Sequence, residues 1–373
     1  MKRKIFLLYP YYWPHYKAGG PVQSLYNLVA LFQGRCDFYL ISLNKDIDGS
    51  VPIEAMDANV WSKGPYGENI YSTPSISPFL IVKLIRQVQP NVIFINGIFN
   101  FKTTLPGIVA AKWLGIKLII SPRGMLQAWA LKRNTSKKKI GIALLKFILN
   151  NRENWHATDE QERNDIVRIF GPAQQINVAS NIPRSVSSFK EVNFLRGIGK
   201  IRLIFLSLIN PNKNLHLIID EVNAQPDSLA LDIYGPVLDQ KYWELCQSKM
   251  NANPSISYKG PIPPWQVPSI LKDYHFFVLP TEGENFGHAI FDALSAGVPV
   301  IITQNTPWKE VDTFPAGFYV DLNESRCLRS IFDRVRNLEP EKYQAIRKGS
   351  FSYAVEYMAR RDITKEYSFL INN

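Results

Sequence analysis

Short runs of consecutive apolar residues alternate along this chain with longer stretches in which apolar residues recur every three or four positions. The runs are Lys4 to Leu8, Phe38 to Leu43, Val92 to Ile95 and Leu118 to Ser121, then Ile201 to Ser207, Ala230 to Tyr234, Ser255 to Lys259, Phe276 to Leu279 and Pro299 to Ile302. Runs of this kind predict buried parallel strands, and the periodic stretches between them predict crossover helices. The fold class is therefore α/β, with a doubly wound parallel sheet in each half of the chain. The alternation breaks between Ala179 and Lys200, where Asn, Pro, Ser and Gly replace it, so an interdomain linker is expected over 179–200. The expected domains are 1–178 and 201–350, with a C-terminal helix in 351–373 that packs back on the first domain. Two such domains facing one another enclose a cleft at the carboxyl ends of their strands, where ligands bind in sheets of this type.

One segment concentrates the chemistry. From Leu279 to Ile302 the chain reads LPTEGENFGHAIFDALSAGVPVII. It gives the end of a strand, a turn-rich loop over Pro280 to Gly287, and the apolar spacing of a short helix over Ala289 to Ala296. A helix start presents N–H groups and a partial positive charge, and Gly283 and Gly287 allow close backbone approach, so a diphosphate fits there. Glu284 and Asp292 stand eight positions apart across the same turn. Carboxylates accept hydrogen bonds from vicinal hydroxyls, which suits a sugar and a ribose.

Glu284-Asn285-Phe286-Gly287, with Asp292-Ala293 and Gly297-x-Pro299-Val300-Ile301, resembles the Glu-x7-Glu signature of retaining glycosyltransferases of family 4, which have the GT-B fold of two Rossmann-like domains. The resemblance implies that Glu284 touches the transferred sugar and that Asp292, one methylene shorter than the usual glutamate, holds the nucleotide ribose. It adds Asn285, Phe286, Gly287 and His288 to the donor loop. It places Gly260 and Ile262 at the turn that meets the nucleobase, and Lys213 on the donor diphosphate. Relatives also carry an arginine on that last loop, where this chain has Leu208. In the first half, Gly19 and Gly20 match paired glycines near the donor phosphates, and Arg123, in Ser121-Pro-Arg-Gly-Met125, reads as an anion clamp. Many relatives carry a histidine where this chain has Phe94 or Asn96, so no role of that histidine is inherited.

Composition narrows the setting. With 46% hydrophobic residues over 373 positions the chain is globular and long enough for two domains. Cys36, Cys246 and Cys327 are widely separated and read as small buried hydrophobes. The histidines have no metal-ligand spacing, His156 reads as structural, and Asp46-Ile-Asp48 reads as a solvated turn, so no metal or other cofactor is expected. The start of the chain reads as a first strand, not a signal peptide, and no run of about 20 apolar residues predicts a membrane span. The net charge of +11 calls for an anionic partner. No nucleic-acid motif accompanies it. Lys132-Arg133 and Lys137 to Lys139 precede the apolar run Ile140 to Leu149, which reads equally as a core helix or as a helix lying on an anionic membrane surface.

The expectation is a metal-independent retaining enzyme that moves a sugar from a nucleoside diphosphate donor to a carbohydrate or lipid-linked acceptor. Its expected setting is bacterial surface-polysaccharide synthesis, in the cytoplasm or at the inner face of the cytoplasmic membrane. A catalytically weak sugar-nucleotide binding or scaffold protein and a GT-B sugar-nucleotide epimerase are the alternatives.

Overall fold

The computed structural model describes residues 2–51, 56–132, 135–149, 153–186, 189, 200–250, 253–324 and 326–371. Arg133 and linker residues 187–188 and 190–199 lie outside the described residues. The chain divides into two units, one of Met1–Ile182 with Asp362–Asn373 and one of Pro183–Arg361.

In the first unit the strands are β1 (Arg3–Leu8), β2 (Cys36–Leu43), β3 (Trp61–Lys63), β4 (Asn69–Thr73), β5 (Val92–Asn96), β6 (Lys117–Ser121), β7 (Asn154–Ala157) and β8 (Gln175–Val178). Among the described residues they form one sheet in the order β3-β4-β2-β1-β5-β6-β7-β8. Every pairing is parallel except that of β3 with β4. The central strands are apolar on both faces because both faces are covered. Phe6 and Leu8 of β1 join Ile93 and Ile95 of β5 in one core, while Ile5 and Leu7 join Val92 and Phe94 in the other. Side-chain caps start two of the covering helices: Ser77 accepts from the Leu80 N–H before helix Pro78–Val88, and Asp159 from the Glu162 N–H before helix Glu160–Phe170.

The second unit contains β9 (Ile201–Leu206), β10 (Leu229–Tyr234), β11 (Ile256–Gly260), β12 (Phe276–Leu279), β13 (Val300–Thr303) and β14 (Gly317–Val320). Their order is β11-β10-β9-β12-β13-β14, all parallel. In both sheets the chain winds outward from its first strand and then returns to that strand's other side. The switch points therefore lie between β1 and β5 and between β9 and β12.

The tail divides later than the sequence suggests. Tyr343, Tyr353 and Ala354 of helix Pro340–Ala359 belong to the core of the second unit. The return begins at Asp362: Tyr367 and Leu370 enter a core of the first unit, and the Tyr367 hydroxyl donates to the Ser180 carbonyl at 2.9 Å. The linker also starts later, since Ala179 and Ile182 are buried in that same core. Among the described residues no helix is long and apolar enough to cross a membrane.

Candidate active site

In the second unit the loops after β9 and β12 flank the switch point, and they bring Lys213 and Glu284 together. Lys213 Nζ lies 2.5 Å from Glu284 Oε1 and 3.4 Å from Thr281 Oγ1. Lys213 is buried, and the Pro211–Lys213 turn points it back toward the strand ends. The two loops are also joined through their backbones, the Glu282 N–H donating to the Asn212 carbonyl at 2.8 Å. The Thr281 hydroxyl donates to the Gly283 carbonyl at 2.9 Å, and Thr303 donates to the Thr281 carbonyl at 2.7 Å. A cation and a carboxylate are thus held on a loop pair with little freedom to separate.

Gly287 closes the acidic loop in the left-handed region, at φ 77°, and caps helix His288–Ser295. A Cβ there would meet Ile290 Cδ1 at 2.8 Å, so glycine is required for both conformation and space. Asn285 and His288 sit half-buried on either side of Phe286. Phe286 itself departs from the expectation of a donor-facing ring. It is buried against Trp308, Phe291 and Tyr357, and its carbonyl accepts from Trp308 Nε1 at 2.6 Å. The ring anchors the loop from below.

Asp292, on the second turn of the helix, is buried, and burial pushes its carboxyl up to about 6, with the Arg184 guanidinium opposing the rise. Arg184 Nη2 lies 3.5 Å from Asp292 Oδ2, and Nη1 donates to the Pro264 carbonyl at 2.5 Å. Arg184 therefore ties Asp292 to the turn after β11, where Ile262 follows Gly260, the last residue of that strand. Gly260 accepts from the Gly235 N–H at 3.0 Å, and Ile262 packs against the core. Sequence reading missed Arg184, because it lies in a segment without periodicity. Leu208 is half-buried and stands outside the core of this unit.

In the first unit, Gly19 takes φ 80° and caps helix Gly20–Leu31, and Gly20 is exposed at its start. The loop before these glycines is braced by Asp46, which accepts from the Tyr16 and Lys17 N–H groups at 3.2 Å each. Of the Asp-x-Asp sequence, Asp46 is buried and braces this loop, while Asp48 lies exposed in the solvated turn and pairs with Lys17 at 2.7 Å.

Arg123 differs from the open clamp that its place after β6 suggests. It is buried at φ 55°, with Nε donating to Asn96 Oδ1 and Nη1 to Asn181 Oδ1, both at 2.6 Å. Ser24, on the helix after the paired glycines, donates to the same Asn181 oxygen at 2.8 Å. Among the described residues Arg123 Nη2 and Asn96 Nδ2 are buried donors without a hydrogen-bond partner. The turn itself is held by Glu162, a second residue missed in the sequence, which accepts from the Gly124 N–H, and at 2.7 Å from the Thr158 N–H. His156 is structural: its Nε2 meets the Ala179 carbonyl at 2.7 Å and Nδ1 the Ser121 hydroxyl at 2.9 Å. Burial and the nearby Arg123 hold its pKa well below the ordinary histidine value, so it stays neutral.

Comparison with known proteins bears on family likeness and fold. Residues 191–347 match the model of the family described as Glycosyl transferases group 1. Over 181 residues the chain is 27% identical to O-antigen chain mannosyltransferase B of Escherichia coli, a match covering 43% of this chain and 46% of that protein. The chain thus spans under half the length of this curated relative. Among solved structures, Anabaena HepE in complex with UDP-glucose superposes with a TM-score of 0.73 at 15% identity, over 98% of both chains. Sucrose-phosphate synthase from Thermosynechococcus elongatus gives 0.71 at 15% identity, over 99% of this chain and 98% of that one. WaaG, a glycosyltransferase involved in lipopolysaccharide biosynthesis, gives 0.67 at 11% identity, over 99% of this chain and all of that one. At these identities the structures establish the fold, which is GT-B, and over residues 191–347, in the second unit, the chain is similar to the glycosyl transferases group 1.

Proposed function

We propose that this protein is a retaining glycosyltransferase of family 4 that moves a sugar from a nucleoside diphosphate donor to a hydroxyl of a carbohydrate or lipid-linked saccharide, in surface-polysaccharide synthesis. The observation that carries the proposal is the Lys213–Glu284 pair at the switch point of the second sheet, one turn ahead of a helix start and of the buried Asp292. Lys213 neutralises the diphosphate as it leaves, helped by the start of helix His288–Ser295, in the manner of preorganised electrostatic stabilisation. Glu284 orients Lys213 and has carboxylate capacity left to accept from a sugar hydroxyl. Asp292 accepts from the ribose hydroxyls.

In this reaction the bond from the anomeric carbon to the diphosphate oxygen breaks, and the acceptor oxygen bonds to the same face of that carbon. The acceptor's proton passes to the departing diphosphate oxygen. No side-chain nucleophile and no metal are needed for that balance.

The relatives set the order of a donor screen. UDP-glucose is the ligand named for HepE, and a mannosyl group is named for the Escherichia coli relative. The test is thermal shift against UDP-, GDP- and dTDP-sugars, since a binder raises the melting temperature by mass action. Transfer then follows with the best donor, with the anomeric configuration of the product read by NMR. Failure of every nucleoside diphosphate sugar to bind overturns the proposal, and an inverted product overturns the retaining assignment.

A further inference from the structure

The helix Thr135–Ile148 of the first unit wears its apolar residues on the outside. Phe147 is 88% exposed and Ile140 70%, with Leu144 at 39% beside them. At about 100° per residue these three occupy the middle of the exposed arc, with Lys139 and Lys146 on one flank and Lys137 on the other. A helix facing water has the reverse order, with charges outermost and apolar residues at the margins. The inner face is already occupied: Leu145 and Leu149 belong to a core, and Gly141 lies so close to Phe101 that a Cβ would meet its Cζ at 2.4 Å. The stripe is therefore an extra apolar surface, not a displaced core face.

The stripe extends onto the neighbouring helix Phe101–Leu114. Lys112 Nζ reaches the Ile148 carbonyl at 2.5 Å, and the adjoining Trp113 and Val109 are 62% and 54% exposed. Trp113 is exposed with the Arg86 guanidinium 5.1 Å from its ring centre, and an outward tryptophan beside a basic group suits the boundary between headgroups and acyl chains.

Charge identifies the occupant. Between Asn69 and Arg152 the chain has thirteen lysines and arginines and no Asp or Glu, whereas the rest of the chain has two more acids than bases. The whole net charge of +11 is thus concentrated in the segment that carries the stripe. We infer that the outer face of helix 135–148, with Trp113, is a docking surface for an anionic lipid membrane: Phe147, Ile140 and Leu144 enter the acyl boundary, and Lys137, Lys139 and Lys146 contact the headgroups. This inference stands on the first unit alone and is independent of the transferase proposal.

The test is sedimentation of the full chain with vesicles of phosphatidylglycerol in phosphatidylcholine, and with pure phosphatidylcholine, at low and high salt. The expected result is binding to the anionic vesicles, weakened by salt. K137Q/K139Q/K146Q should lower partitioning roughly a hundredfold, at about 1 kcal/mol per lysine near an anionic surface. I140S/F147S should lower it as well, while leaving the melting temperature within a degree or two, because both side chains point outward. Equal binding to neutral vesicles, or none to either, overturns the inference. So does a self-association of the free protein that I140S/F147S abolishes without any vesicle binding, since the stripe would then be covered by a second copy.

Discussion

Lys213 Nζ and Glu284 Oε1 meet at 2.5 Å although they are 71 residues apart in sequence, one on the loop after β9 and the other on the loop after β12. The contact follows from topology. β9 and β12 are adjacent parallel strands, so their following loops emerge side by side, and the short turn at 211–213 folds the lysine back over the strand ends.

Because the pair is mostly buried, its members depend on each other. Lys213→Met should cut transfer at least a hundredfold and leave Glu284 as an uncompensated buried carboxylate, costing about 3 kcal/mol of stability. Adding Glu284→Gln to that variant should recover most of the stability and none of the activity. Glu284→Gln alone should abolish transfer and largely keep nucleotide affinity. A double-mutant cycle on melting temperature and turnover reads all three, and additive stabilities would show that the ion pair is not formed in solution.

Asp292 should make donor binding pH-dependent. Burial pushes its carboxyl up to about 6, and the proposed ribose contact needs the carboxylate. Affinity should rise with pH through 6 and level off above 7, standing about tenfold lower at pH 5. Folding stability runs the other way. Between the ordinary carboxylate value and about 6 the folded chain holds a proton that the unfolded chain has released, so this group's contribution is lost as pH rises through that window. Asp292→Asn should flatten the affinity profile, and Arg184→Met should move its midpoint to higher pH by removing the opposing charge. Calorimetry with an intact sugar nucleotide, whose esterified phosphates keep their charge across this range, makes the measurement.

The parts of this fold that sequence reveals are those in which both faces of a strand are buried. β1, β5, β9 and β12 are nearly unbroken apolar runs because cores press on them from two sides. The short edge strand β3, its neighbour β4 and the half-exposed β14 carry mixed residues that have no such signature. The acidic loop was legible because its chemistry is local to one strand–loop–helix unit. Arg184, Asn181 and Glu162 were not, since each acts through a partner distant in sequence: Asp292, Arg123 and the Gly124 turn respectively. Phe286 shows the converse, a residue whose neighbours suggest a ligand and whose ring is taken by an aromatic core.

Arg123 joins Asn96, which ends β5, to Asn181, which follows β8, so its loss should be felt in stability before chemistry. Arg123→Met removes the donors to Asn96 and Asn181 and leaves the buried Asn96 oxygen without its partner, for a destabilisation of about 2–4 kcal/mol. Arg123→Lys keeps the charge but cannot span both acceptors with one ammonium in the same geometry, and should recover less than half of that loss. Thermal denaturation of the two variants decides. A melting temperature unchanged in Arg123→Met would mean that the guanidinium does not bridge the asparagines.

The resemblance to family 4 leads one to expect a second phosphate cation where this chain has Leu208, and the structure separates two outcomes for Leu208→Arg. Burial of a guanidinium in the core would destabilise the protein severely, but Leu208 is half-buried and outside the core of its unit, so the stability change should stay near 0.5 kcal/mol. If the loop that carries Lys213 faces the donor diphosphate, the added guanidinium gains a charge-assisted hydrogen bond of about 1.5 kcal/mol, which tightens donor binding roughly tenfold. The gain should appear in both donor affinity and transfer, and should shrink in high salt as expected for a partly exposed charge. Donor affinity and melting temperature measured together on this variant are decisive: an arginine that changes neither would show that this loop does not face the diphosphate, and Lys213 would lose its assigned role with it.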